Sequence, residues 1–275
     1  MTVHVPLVSL GDGFGGRVLQ GDGEGVLWIH SHSLDSRSWI ELWELLPGWN
    51  HLGIDLPGHG VSLPASSHEA LPDLARRIGE IAHRRDIRHM VGLSFGSLVA
   101  LQVAIEYPSG FASLVVGAPV LGGGPHEEET VTRYQELRSM YLIGGFGPHL
   151  RGRWMLHPPS IFDTIERESR LWNTLSQIIG RHAWLELLDG SLFKLLNHQQ
   201  RPDQLQRITA ATLVLVGERD RSVTKACAER LCQAIPTSQR VDVPAAGHLC
   251  MLEAPGRVHA AINDHMRRYA SPVAV

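Results

Sequence analysis

Gly92-Leu93-Ser94-Phe95-Gly96 sets a serine between two flanking glycines, after the apolar run 89–93 and before 97–104, a good helix-forming stretch. A serine at such a strand–turn–helix junction is held in a tight turn, and the glycines remove side chains that would collide there. Its hydroxyl then stands above the sheet edge, beside the positive end of the new helix. A Gly/Ser-rich turn without chemistry is the alternative, and the strand before and helix after favour a nucleophile. A hydroxyl nucleophile needs a base, and the base needs a group that fixes its tautomer. Sixteen histidines are available, so position must decide. His248, in Ala245-Ala246-Gly247-His248-Leu249, falls between the last strand-like run and the last helix. Asp220, in Gly217-Glu218-Arg219-Asp220, follows the run 212–216 and is the preferred acid, with Glu218 the rival two residues earlier.

These residues need a frame that brings them together. Short apolar runs at 26–29, 52–54, 89–93, 114–116, 212–216 and 241–243 each end in Gly, Ser, Asp, Pro or His. Runs apolar on both faces are the mark of strands inside a parallel sheet. Between them Leu71, Leu74, Ile78 and Ile81 recur at helical steps, as do Ala228, Leu231, Cys232 and Ile235, and Val258, Ala261, Ile262 and Met266. The alternation predicts an α/β fold, a mostly parallel central sheet with helices on both faces. Working residues then lie where strands end. Residues 122–205 contain no such strand; 127–141, 161–179 and 183–196 read as helices, an insertion covering the sheet's C-terminal edge. The expected organisation is core at 1–121, helical lid at 122–205 and core again at 206–275.

The chain resembles the α/β-hydrolase fold superfamily, in its lidded, esterase/lipase-like branch. The resemblance rests on the elbow at Ser94, on Asp55-Leu56-Pro57-Gly58-His59-Gly60-Val61-Ser62, and on the turn 217–220. It rests also on Gly247-His248 followed by Glu253-Ala254-Pro255, and on His30 with Trp39 nine residues later. The order Ser94, Asp220, His248 is the order of that superfamily's triad. The resemblance makes the backbone N–H groups of His32 and Phe95 the oxyanion hole, and makes Asp55 and His59 a structural turn. Ser31 departs from the pattern, which has glycine there, so the loop is re-aimed or Ser31 meets a polar group of the substrate. Ser31, Trp154 and Trp184 are the candidate substrate contacts. The insertion's other aromatics, Phe146, Phe162, Trp172 and Phe193, could line an acyl or ring pocket but at helical spacing read mostly as its own core; His149, His157, His182, Arg151, Arg153 and Arg181 could receive a carboxylate but read mostly as a solvated face.

The implied activity is that of a serine hydrolase of small, partly apolar esters, lactones or related acyl compounds, working through an acyl-enzyme without metal or cofactor. Carbon–carbon bond hydrolysis, biosynthetic acyl transfer or cyclisation, ligand reception and cofactor-free oxygenation are the alternatives on this fold. A metal loop at His30-Ser31-His32-Ser33-Leu34-Asp35 lacks the spacing such sites use. A formal charge of −3 over 275 residues, 43% of them hydrophobic, argues against nucleic-acid binding. No run reaches the ~20 apolar residues of a membrane span. The N-terminus lacks the charged region of a signal peptide, so a cytoplasmic location is expected. Cys227, Cys232 and Cys250 read as buried thiols rather than a disulfide framework. Oligomeric state is left open.

Overall fold

The structure, a computed structural model, describes residues 5–66, 68–124 and 128–271. Among the described residues eight strands form one sheet: β1 (Leu7–Gly11), β2 (Phe14–Leu19), β3 (Gly25–Ile29), β4 (Asn50–Ile54), β5 (Ile87–Leu93), β6 (Ser113–Gly117), β7 (Ala211–Gly217) and β8 (Ser238–Val243). Their order across the sheet is β1-β2-β4-β3-β5-β6-β7-β8. Every pairing from β4 to β8 is parallel, and only β2 runs against its neighbours. The four innermost of these, β3, β5, β6 and β7, are buried almost throughout, whereas the edge strand β8 is largely exposed. That difference follows from helices covering both faces of the central strands. The hairpin of β1 and β2 is absent from the sequence expectation, because its Gly-rich, half-exposed strands carry no continuous apolar run.

Helices α1 (Ile40–Glu44), α2 (Leu71–Arg84) and α3 (Phe95–Glu106) lie among the first six strands, and α10 (Ser222–Ala234), α11 (Cys250–Glu253) and α12 (Pro255–Arg268) follow β7. Between β6 and β7 come α4 (Glu128–Gly144), α5 (Pro148–Leu156), α6 (Arg170–Ile179), α7 (Glu186–Asp189), α8 (Ser191–Leu196) and α9 (Pro202–Leu205). The start expected at 127 lies outside the described residues. Helix α6 begins nine residues later than periodicity suggests, where Ser169 accepts from the Trp172 N–H at 3.1 Å and caps the first turn. The single helix expected over 183–196 is two, divided at Gly190, whose φ of +68° belongs to the left-handed region. Helices α5 and α9, which apolar periodicity does not announce, each open with a proline in the first turn. Among the described residues no helix is long and apolar enough to cross a membrane.

Register brings the strand ends that matter to one edge. Ile29 pairs with Gly92, Leu93 with Gly117, Gly117 with Leu215 and Gly217 with Val243. The loops after β3, β5, β7 and β8 therefore leave the sheet side by side. Helix α3 behind the elbow is buried along its whole length from Phe95 to Ile105, which fixes the turn that precedes it. Cys227 and Cys250 are buried and Cys232 is half-buried, all as free thiols.

Beneath the sheet, Trp28, Trp39 and Trp43 pack with His51, whose Nδ1 accepts from Trp28 Nε1 at 3.0 Å. Its Nε2 donates to the Leu46 carbonyl at 2.8 Å. Burial pushes the His51 imidazole down to about 4, against a smaller opposing pull from that carbonyl. The unfolded chain thus takes up this proton first, so the stability it contributes above pH ~6.5 is lost as pH falls toward 4, about 3 kcal/mol in all. His51→Gln, which cannot take the proton, should lose less stability than the wild type between pH 7 and pH 4 in urea unfolding. Parallel losses in the two proteins would contradict this.

Candidate active site

Ser94 ends β5 and begins α3 with φ +53° and ψ −118°, a conformation that non-glycine residues rarely hold. The surroundings enforce it. The Ser94 N–H donates to the Gly117 carbonyl at 2.8 Å, and its carbonyl accepts from Ser97 Oγ at 2.6 Å. A Cβ on Gly96 would stand 2.1 Å from the Ile29 carbonyl oxygen, and one on Gly92 would stand 2.5 Å from that of Gly96. The two glycines allow the helix start to press against the end of β3.

His248 and Asp220 meet Ser94 as the sequence suggests. Ser94 Oγ lies 2.8 Å from His248 Nε2, and His248 Nδ1 lies 3.0 and 3.2 Å from the Asp220 carboxylate oxygens. All three residues are buried. Burial alone would raise the Asp220 carboxyl, but the His248 hydrogen bond and charge, the Arg221 N–H and the Arg221 charge outweigh it. The carboxyl is held below its ordinary value. Glu218 is exposed and accepts from the Ala245 N–H at 2.9 Å, away from the imidazole. The loop carrying His248 is held by Glu253, whose two oxygens accept from the Gly247 and Leu249 N–H groups at 2.8 and 2.9 Å. Thr164, from the segment between β6 and β7, donates to the same carboxylate at 2.7 Å. The sequence marks Glu253 only as part of a matching stretch; its clamp on both neighbours of His248 needs the fold to be seen.

The loop after β3 brings His32 beside Phe95, the first residue of α3, where N–H groups lack intrahelical acceptors. His30 anchors this loop, with Nδ1 on the Ser31 carbonyl at 2.8 Å and Nε2 accepting from the Leu56 N–H at 2.9 Å. The left-handed residue in the loop is Ser33, at φ +61°, so serine at position 31 brings no left-handed strain. Asp55 accepts from the Ser36 and Val61 N–H groups, and His59 Nε2 from that of Ser33, which makes the 55–62 stretch scaffold.

Ser31, His32, Ser94, Phe95 and His248 line one cavity of ≈ 130 Å³. Its outer wall comes from the segment between β6 and β7, including Tyr134, Trp154, Ile161 and Leu192. Trp184 does not reach the cavity. It is buried behind, 5.2 Å from Trp154 and 4.7 Å from His182 between ring centres. Phe162 and Trp172 pack among themselves and against Trp154, and Phe146 is exposed. His182, expected on a solvated face, is buried against His59 and hydrogen-bonded to Glu186 at 2.8 Å. Tyr134 and Glu186 are site neighbours that sequence reasoning misses, since their residue types carry no spacing signal before the chain is folded.

The sequence's metal loop is not assembled, because Asp35 turns to Arg37. Ring nitrogens of His32, His59 and His182 do lie within 4.8 Å of one another. The His59 pair is already used, with Nδ1 on the Pro57 carbonyl and Nε2 on Ser33 N–H, and His32 and His182 are bound to Glu186. His182 Nδ1 has no partner among the described residues, but His32 Nδ1 is also taken, by Tyr134, so a metal held by all three would have to break a bond at His59 and one at His32. For the elbow, the geometry predicts that Gly96→Ala destabilises. In an ordinary helix that change stabilises by ~0.5–1 kcal/mol; here a lower thermal midpoint is expected, and a raised one would refute the close approach.

Comparison with known proteins agrees with this architecture. A dihydrolipoyllysine-residue acetyltransferase component of the acetoin cleaving system from Cupriavidus necator is 27% identical over 251 residues, 90% of this chain. The chain spans only 64% of that protein's length. A 2-succinyl-6-hydroxy-2,4-cyclohexadiene-1-carboxylate synthase from Enterobacter sp. (strain 638) is 25% identical, over 88% of this chain and 91% of its own. Among solved structures, a thermophilic esterase from Thermogutta terrifontis, with malate bound, superposes with a TM-score of 0.74 at 23% identity, covering 94% of this chain and 95% of that one. Residues 26–261 match the alpha/beta hydrolase family, and with the sheet order and the elbow at Ser94 they place the chain in that family.

Proposed function

We propose that the protein is a serine hydrolase that cleaves an ester, lactone or related acyl bond of a small, partly apolar molecule. The observation that carries this reading is the continuous hydrogen-bonded chain from Ser94 Oγ through both nitrogens of His248 to Asp220. His248 takes the Ser94 proton as the hydroxyl attacks the carbonyl, and Asp220, kept ionised, holds the Nδ1–H tautomer and stabilises the imidazolium. The N–H groups of His32 and Phe95 receive the developing oxyanion. The leaving group takes the proton from His248, and water activated by the same imidazole releases the acid from Ser94. A cavity of ≈ 130 Å³ with largely apolar walls suits a short acyl chain. Residues 122–205 act as the lid that supplies those walls, with Trp154 and Ser31 against the substrate.

Turnover of short p-nitrophenyl esters tests the reading. Ser94→Ala should lose essentially all activity, and Asp220→Asn should fall by ~10⁴-fold in kcat because the wrong imidazole tautomer is favoured. Glu218→Gln should stay within about threefold of the wild type, since its exposed carboxylate accepts from the Ala245 backbone N–H rather than from His248. Full turnover by Ser94→Ala would overturn the mechanism and favour general-base chemistry on the same fold.

A further inference from the structure

A second buried chain of hydrogen bonds reaches the cavity through His32 and Tyr134. Glu186 Oε1, on α7, accepts from His32 Nε2 at 3.0 Å and from His182 Nε2 at 2.8 Å. Burial favours the neutral carboxyl, but the two imidazoles outweigh it and hold Glu186 well below the usual carboxylate range. Burial holds the His32 imidazole low against the opposing pull of Glu186, so the ring is neutral near pH 7. With its one proton on Nε2 facing an ionised carboxylate, His32 presents a bare lone pair at Nδ1. The Tyr134 hydroxyl, 2.5 Å from that atom, must then be the donor. Burial, with the Glu186 charge, keeps the phenol protonated by raising it well above its ordinary value. Tyr134 has therefore committed its only hydrogen to His32 and keeps oxygen lone pairs. Both residues line the cavity that contains Ser94.

We propose that Glu186, His32 and Tyr134 form a substrate-selecting relay that turns the Tyr134 phenol into a fixed hydrogen-bond acceptor, so that the site takes acyl compounds carrying a hydroxyl or enol close to the scissile carbonyl. The proposal rests on the hydrolase reading and names its substrate class. A free tyrosine offers a substrate either a donor or an acceptor; one whose hydrogen is pinned offers only the acceptor. An O–H on the substrate satisfies it, whereas a methylene in the same place leaves the acceptor lone pairs of the buried oxygen unmatched. Trp154 and Phe193, with ring centres 5.5 and 5.7 Å from that of Tyr134, hold the ring in place.

Two measurements decide it. The first is the ratio of kcat/KM for p-nitrophenyl 3-hydroxybutyrate to that for p-nitrophenyl butyrate, in the wild type and in Tyr134→Phe, which preserves the ring. A hydrogen bond of ordinary strength predicts a wild-type preference for the hydroxylated ester of about threefold to tenfold, falling to about unity in the variant. A ratio that Tyr134→Phe does not move, or a wild-type preference for butyrate, overturns the proposal. The second is the ¹⁵N NMR signature of His32, expected to show protonated Nε2 and unprotonated Nδ1, with the Nδ1 resonance shifted in Tyr134→Phe. A His32 protonated at Nδ1 overturns it as well. The tautomer is read without turnover, so a failure of esterolysis strikes the hydrolase reading, while a wrong tautomer or an unmoved ratio strikes the relay.

Discussion

The contact between Ser94 and His248 joins residues 154 positions apart, and much of the molecule serves to make it possible at 2.8 Å. A hydroxyl and an imidazole on flexible loops would spend most of their time apart, and fixing each side chain costs conformational entropy of order 1 kcal/mol or more. The fold meets that cost in advance. Helix α3, buried on every side, fixes the elbow, and the close approach of Gly96 to β3 leaves the turn no room to relax. On the other side, Glu253 holds the backbone on both sides of the imidazole. The hydroxyl and the imidazole are thus oriented by contacts that do not involve one another, which is the preorganisation that the proposed mechanism requires.

The loop after β3 is held in the same manner but by polar contacts. His30 ties it to Leu56, Asp55 ties the start of the next segment through Ser36, and His59 receives the Ser33 N–H. His32 then joins the core to the segment between β6 and β7 through Glu186 and Tyr134. Motion of that segment cannot leave His32 untouched, because two of its residues are bonded to the imidazole. The backbone of the same residue is the one proposed to meet the oxyanion. In the proposed mechanism, substrate contact and charge stabilisation are therefore mechanically linked at one position.

The parallel strands, the elbow and the meeting of Ser94, Asp220 and His248 were legible in the sequence for a physical reason. Strands buried on both faces must be continuous apolar runs, and a tight turn between strand and helix must carry glycine. The residues 122–205 were legible only as helical. Their breaks at Ser169 and Gly190 depend on single capping residues inside stretches of helical period. Trp154 and Trp184 look equivalent in sequence, yet the first lines the cavity and the second packs behind it on Trp154 and His182. Glu186 and His182 sit four apart on a surface-like pattern, and only their burial against His32 and His59 shows that they belong to the site.

The most direct test of the central claim is to trap the intermediate it requires. After rapid acid quench of the protein with p-nitrophenyl acetate, peptide mass spectrometry should find one acetyl group, on the peptide carrying Ser94, accumulating in a burst before steady turnover. The label should be lost when His248 is replaced by alanine. An acetyl group on another residue, or steady release of nitrophenol with Ser94 never modified, would contradict the account.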